Sequence, residues 1–372
     1  MRRIVMLVMA VVLPVVAGVV VRTARFDPSD LVITRDNGYD NIALPRGVTL
    51  IQPGAPAVPR VVEAIAIPAG AVPVGMELLE VEWTTLPGTY RIGPAQPDFP
   101  LPRAGEKLEV KLWPPDPVIY SSAEPYPSSV AFLSGFGAMA GYRIAHVELH
   151  PVRYIPRTGQ VQLATRIGYR LEYVEGGAGV AVATKRQQEL FGDMVRLLVV
   201  NPEDVSRFAP RVSRANSLVL PPGDYEYVVI TEAPMDTVFQ RLADWKTLKG
   251  VPGTVVRVSW INGQYPGYDL QEKIRNFIKD AYETWGTSYV LLGGQGDYQT
   301  SGQNIIPTRM ANYSNNGDEP CDLYYAGLDG SWDANGNHVY GEIPDSADMY
   351  SDVFVGRAPV YNVVTAQNFV NK

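Results

Sequence analysis

At about residue 225 the apolar residues of this chain change their period, and that change limits the fold more than any other feature. Before it they alternate. Val161, Leu163, Thr165, Ile167, Tyr169, Leu171 and Tyr173 keep a strict period of two, which places all of them on one face of a strand. Val147 and Leu149, then Val152 and Tyr154, alternate with a slip at Pro151 that marks an edge or a bulge. Pro156-Arg157-Thr158-Gly159 supplies a turn, so a hairpin is expected there. Stretches 78–83 and 108–113 read as further short strands, and little in 25–180 looks helical. The reading is a β domain, with a β-sandwich as the way to bury the shared apolar faces.

After residue 225 the order becomes strand, helix, strand, helix, strand. A strand at 225–231 leads into Met235, Val238, Phe239, Leu242, Trp245 and Leu248, which form one helical stripe closed by Gly250. A strand at 254–260 and a Gly- and Pro-containing loop follow. Next comes a helix with Asp269 as N-cap, Glu272 in capping-box position and Ile274, Phe277 and Ile278 on its buried face. Gly286 closes it, and 289–292 is a wholly apolar strand of the kind buried between helices. The expected unit is βαβαβ with right-handed crossovers, hence a parallel sheet. Stretches 322–326 and 352–355 read as further strands, and 365–372 starts a helix. Between the halves, 184–198 reads as an amphipathic helix and 201–222 as an exposed linker carrying Arg207, Arg211 and Arg214 beside breakers.

A chain of 372 residues suits two domains, and its 46% hydrophobic content suffices for real cores. The net charge of −7, with no cluster of Lys and Arg, argues against a nucleic-acid partner. Arg2-Arg3, an apolar run over 4–21 and small residues up to Ala24 have the layout of a secretory signal over 1–24, with an uncleaved membrane anchor as the competing reading. The protein is therefore expected to be secreted or held at the cell surface, touching membrane only through that segment. A single cysteine, Cys321, excludes an internal disulfide framework.

Five phrases give the second half a family likeness: Tyr227-Val228-Val229-Ile230-Thr231, Leu242-Ala243-Asp244-Trp245-Lys246, Tyr289-Val290-Leu291-Leu292-Gly293-Gly294, Cys321-Asp322-Leu323-Tyr324-Tyr325 and Asp352-Val353-Phe354-Val355-Gly356-Arg357. In this order they resemble the catalytic domain of the gingipain-like cysteine peptidases over most of 224–372. Tyr126-Pro127-Ser128, Gly141-Tyr142-Arg143 and 151–156 look like that family's propeptide. The resemblance implies a signal peptide at 1–24, a β-sandwich propeptide at 25–183 and a helix and linker at 184–222. A partial caspase-like α/β domain would fill 223–372. It also implies peptide-bond hydrolysis through a thioester, protein or peptide substrates, and an intramolecular propeptide as partner. The family's catalytic His and Cys follow the strand ending in Gly356-Arg357, so they are expected beyond Lys372 and none within this chain. Family members are activated by cutting between propeptide and catalytic domain, some after Arg, which points to Arg211 or Arg214.

Two candidate cation sites remain. Asp333, Asn335 and Asn337 offer oxygens at alternate positions around Gly336, between Asp329 and Glu342, a pattern that suits calcium or equally a solvated turn. By the resemblance, Asp348, Tyr350 and Asp352 match a calcium site placed just before the Gly-Arg strand, and Asp345 adds its carbonyl. The family's further acidic ligand is less well matched, for Gln295 takes the nearest place and Asp297 comes two later. A Cys321/His338 pair is the one intrachain dyad the composition allows, but a lone Cys beside a strand is more often a small buried hydrophobe. Gly293-Gly294-Gln295-Gly296 lacks the Lys of a phosphate loop, and no Gly-x-Ser-x-Gly elbow is present. The alternative reading is a secreted or surface-attached binding protein whose β domain is the working part and whose α/β domain is inactive.

Overall fold

The alternating half folds as strands and the second half as strands interleaved with helices, in a computed structural model that describes residues 18–50, 52–97, 111–176, 181–296, 304–312 and 318–372. In chain order β1 (Gly18–Arg25), β2 (Val32–Asp36), β3 (Tyr39–Ala43), β4 (Val48–Thr49), β5 (Pro59–Ile67) and β6 (Val72–Thr85) precede a short helix α1 (Pro117–Tyr120). Then come β7 (Ala131–Met139), β8 (Tyr142–Leu149), β9 (Val152–Ile155) and β10 (Gln160–Val174). They form two antiparallel four-stranded sheets. One runs β1-β10-β6 with β9 also on β10, the other β4-β5-β8-β7, while β2 and β3 pair apart. Val61, Ile65, Ala145 and Val147 of one sheet meet Ile167, Tyr169 and Leu171 of the other in a common core.

The β9–β10 hairpin forms as expected, with Gln160 opposite Ile155 and Gly159 turning at φ +70°. Val161, Leu163, Ile167, Tyr169 and Leu171 are all fully buried, but not on one face. A register shift against β6 between Ala164 and Arg166 flips the alternation at Thr165. Val161 and Leu163 pack with Val152 and Tyr154, whereas Ala164, Ile167, Tyr169 and Leu171 enter the core between the two sheets. Stretch 78–83 is the middle of the longer β6. Most of 108–113 lies outside the described residues, and 111–113 forms no strand. Of the expected signal, 1–17 also lie outside them, while Gly18–Arg25 pairs along its whole length with β10, from Gly18 opposite Tyr173 to Arg25 opposite Arg166.

Helix α2 (Lys185–Leu198) begins at Thr184, whose side chain accepts from the Gln187 N–H while the Gln187 side chain accepts from Thr184 in return. After it come β11 (Tyr227–Thr231), α3 (Asp236–Leu248), β12 (Gly253–Arg257), α4 (Val258–Gln264), α5 (Leu270–Thr284), β13 (Tyr289–Gly293), β14 (Arg309–Asn312), β15 (Asp318–Cys321), α6 (Leu323–Ala326), β16 (Phe354–Ala358) and α7 (Val363–Val370). β12, β11, β13 and β16 lie side by side, all parallel. Three expectations shift. The strand at 254–260 stops at Arg257, and Val258–Gln264 is helical. The strand at 322–326 is instead the helical turn α6, with Tyr324, Tyr325 and Ala326 all buried. The last strand starts at Phe354, two residues later than expected.

Each face of the parallel sheet is covered. Val229, Leu291 and Ala358 meet Met235 and Phe239 near α3 and Ala366 of α7 on one side. On the other, Val228, Ile230, Val290 and Leu292 meet Ile274, Phe277 and Ile278 of α5 together with Phe191 and Val195 of α2. Phe191 stacks on Phe354 of β16 with centroids 5.2 Å apart. Ala140, Tyr142 and Ile144 of the β7–β8 hairpin join the same core. One apolar core therefore runs from the N-terminal β structure into the α/β sheet.

Candidate functional site

Parallel strands with crossover helices bring the loops after their carboxyl ends to one edge, where α/β proteins place their chemistry. Here that edge is fastened. Thr231 donates to the Gly293 carbonyl at 2.6 Å. Arg357, at the end of β16, donates to the carbonyls of Gly294 and Ile306 at 2.9 and 2.8 Å and makes a two-bond pair with Asp322 at 2.7 and 2.6 Å. A Cβ on Gly296 would fall 2.3 Å from Thr308 Oγ1, and one on Gly294 would fall 2.9 Å from Ile305. Those glycines serve close packing of the chain on itself. The Gln295 N–H goes to the Val360 carbonyl at 2.9 Å, and Asp297 lies outside the described residues.

Cys321 and His338 do not form a reacting pair. Cys321 is a half-buried free thiol at the end of β15. The His338 ring stacks on Tyr268 with centroids 3.8 Å apart, and its Nδ1 lies 3.1 Å from Asp333. Among the described residues no hydrogen bond joins the two.

The two acidic segments were read as cation sites, and their oxygens can be followed one by one. Asp333 Oδ1 accepts from the His338 N–H, Asn335 Oδ1 from Asn337 and Asn337 Oδ1 from Val339; both Asn side-chain amides donate to Glu342 Oε1. Asp345 accepts from the N–H groups of Ala334 and Gly341 at 2.8 and 3.0 Å, tying off the same loop. The segment is a self-closed turn.

Asp348 and Asp352 reach elsewhere. Asp348 Oδ2 accepts from the Ala138 N–H at 2.6 Å and Asp352 Oδ1 from the Ala140 N–H at 2.7 Å, both on the β7–β8 hairpin. Asp348 Oδ1 takes Tyr350 N–H, while Asp352 Oδ2 takes Leu328 at 2.6 Å and Asp329 at 3.3 Å. Between them the Tyr350 hydroxyl lies 2.7 Å from His146 Nε2 on β8. Burial holds the His146 ring below its ordinary pKa, against the pull of Asp348. A third carboxyl, Asp329, is pushed up to about 8 by burial and by the charges of Asp352 and Asp348, with Arg143 opposing. Asp352 is pushed up to about 6 by burial, although its three N–H donors pull the other way. Among the described residues no group of three or more His, Cys, Asp or Glu is placed to hold a metal. With the hairpin seated, the Asp348 and Asp352 carboxylates accept N–H groups from it.

Sequence reasoning found Asp348, Tyr350 and Asp352 but missed their partners Gly137, Ala138, Ala140 and His146. The available signal was the run of small residues in Ser134-Gly135-Phe136-Gly137-Ala138-Met139-Ala140-Gly141, which permits close backbone approach. Arg211 and Arg214 lie on an exposed segment, 211–219. The Arg211 carbonyl accepts from the Val182 N–H at 3.0 Å and the Val182 carbonyl accepts from the Ser213 N–H at 2.8 Å; Arg214 pairs with Asp224, and the Ala215 N–H donates to the Glu283 carbonyl at 3.0 Å.

Two family models match successive stretches of this chain. The first, the C25 propeptide, covers residues 26–209, and the second, peptidase family C25, covers 220–372. The chain belongs to the C25 family. It is a gingipain-like cysteine peptidase precursor. Among solved structures it is similar to the complex of the pro- and mature domains of RgpB from Porphyromonas gingivalis, at 19% identity and TM-score 0.40, over 50% of this chain and 92% of that one. It is also similar to gingipain K of the same organism, from a study of zymogenic latency, at 23% identity and TM-score 0.32, over 38% and 79%. Dimeric latent PorU, again from that organism, matches 94% of this chain but 34% of its own, at 13% identity and TM-score 0.31. No curated protein sequence matches. The gap between the two family matches, 210–219, falls on the exposed segment that carries Arg211 and Arg214.

Proposed function

We propose that this chain is the front portion of an exported cysteine endopeptidase zymogen. Its β-sandwich propeptide would cover a caspase-like domain whose reactive His and Cys lie beyond Lys372. The observation that carries this is the tiling of C25 propeptide and C25 peptidase, in that order, across an exposed connection. In the mature enzyme a thiolate would attack the peptide carbonyl, expel the amine and form a thioester that water then hydrolyses. The fastened edge formed by Thr231, Gly293, Arg357 and Asp322 would give that chemistry a rigid floor. Cutting after Arg211 or Arg214 would separate the two parts. Calcium at Asp345, Asp348, Tyr350 and Asp352 belongs to the proposal only for the state in which the hairpin has left Asp348 and Asp352. Export through 1–24 is supported by the Arg2-Arg3 and apolar pattern alone.

The test compares two products on fluorogenic peptides: these 372 residues, and the natural gene product if it continues past Lys372. The longer product, once cut in 211–219, is expected to hydrolyse peptides and to lose that activity on thiol alkylation. The 372-residue chain is expected to be inactive, with Cys321→Ala changing nothing. Alkylation-resistant activity in the longer product, or activity of the short chain that Cys321→Ala abolishes, would sink the proposal.

A further inference from the structure

We infer that Asp348 and Asp352 are the docking residues by which the α/β domain recognises the free backbone edge of β7, with Gly137 as the residue that lets them approach. The inference rests on the reading of the N-terminal half as a propeptide, and names the contact through which it is held.

Among the described residues β7 is the last strand of its sheet and pairs only with β8, so alternate N–H groups along its outer side have no strand to bond. Ala138 is such a position and Ala140 follows it in the turn to β8, and each donates to a carboxylate from across the domain boundary. Because main-chain groups are gripped, the contact reads conformation and the absence of bulk rather than side-chain identity. Three observations show that the contact is fitted. A Cβ on Gly137 would lie 2.6 Å from Asp348 Oδ1 and 2.7 Å from the Tyr350 ring. Ala140 is fully buried in the two-residue hairpin turn Ala140-Gly141, and Asp352 bonds its N–H there. The same two carboxylates bond N–H groups of their own domain, which fixes their direction before the hairpin arrives.

Gly135 provides the control. It lies two residues from Gly137 on the same strand, yet a Cβ there would meet nothing nearer than His146 Nδ1 at 3.9 Å. Neither Gly135 nor Gly137 has a positive φ, so alanine strains the backbone at neither.

The experiment places a specific endoprotease site between Arg214 and Ser217 of the full chain, cuts it, and measures two quantities. These are the dissociation rate of the halves and the hydrogen exchange of the Ala138 and Ala140 amides. In the parent and in Gly135→Ala, slow dissociation and protected amides are expected. In Gly137→Ala and Asp348→Ala, dissociation should be faster by about tenfold or more, the scale of one hydrogen bond to a charged group. Exchange at Ala138 should rise in the same variants even before cutting. Unchanged exchange and dissociation in both Gly137→Ala and Asp348→Ala would overturn the inference, as would parent halves that separate as fast as the variants. None of these readouts requires peptidase activity, so the docking assignment and the proposed chemistry can fail separately.

Discussion

Two acidic segments of the α/β domain, 333–342 and 345–352, share the same composition logic, oxygens at alternate positions, and do opposite things. The first closes on itself through Asn and Asp turns, whereas Asp348 and Asp352 of the second cross to another sheet and cap its edge. Spacing shows that oxygens are aimed at a common target, but it does not say whether that target is a cation, the segment's own backbone or a distant strand.

The largest effect that separates them is expected at Asp352. It is 2% exposed and accepts from three backbone N–H groups, so Asp352→Ala strands buried donors and should destabilise the full chain by about 3 kcal/mol or more in denaturant unfolding. A loss under about 1 kcal/mol would mean that water or relaxation replaces those bonds, and the contrast would break.

Calcium sharpens the comparison next. With the hairpin seated, millimolar calcium should leave the melting temperature of the parent unchanged. Gly137→Ala, which pushes the hairpin away, should gain about 1.4 kcal/mol at ten times the dissociation constant. Equal stabilisation of both proteins would show that cation and hairpin coexist.

Most of the fold could be read from the sequence because strand and helix periods are local properties. The Asp269 N-cap of α5, the β9–β10 hairpin and the parallel run of β11, β12 and β13 all follow from residues within one element of each other. Two errors came from local ambiguity: Val258-Ser259-Trp260 continues an apolar run into a helix, and Leu323-Tyr324-Tyr325 reads equally as a strand or a helical turn. The docking contact was hidden for a different reason. Its partners are separated by 210 and 212 positions, and one side consists of main-chain N–H groups on small residues, which carry no chemical label.

The smallest effect belongs to the self-closed turn. Asn337→Ala removes exposed hydrogen bonds to Glu342 and Val339, and should cost about 0.5 to 1 kcal/mol with no change in exchange at Ala138. A cost matching that of Asp352→Ala would erase the distinction between the segments.

Strand β1 sets a limit on how far the amino end can be trimmed. Processing that removed residues through Ala24 would peel an outer ribbon from a four-stranded sheet and leave one edge of β10 unpaired from Arg166 to Tyr173, with β6 still on the other. A leader clipped before Gly18 would spare it. The mass of the mature product's first peptide therefore reports whether that rim is kept.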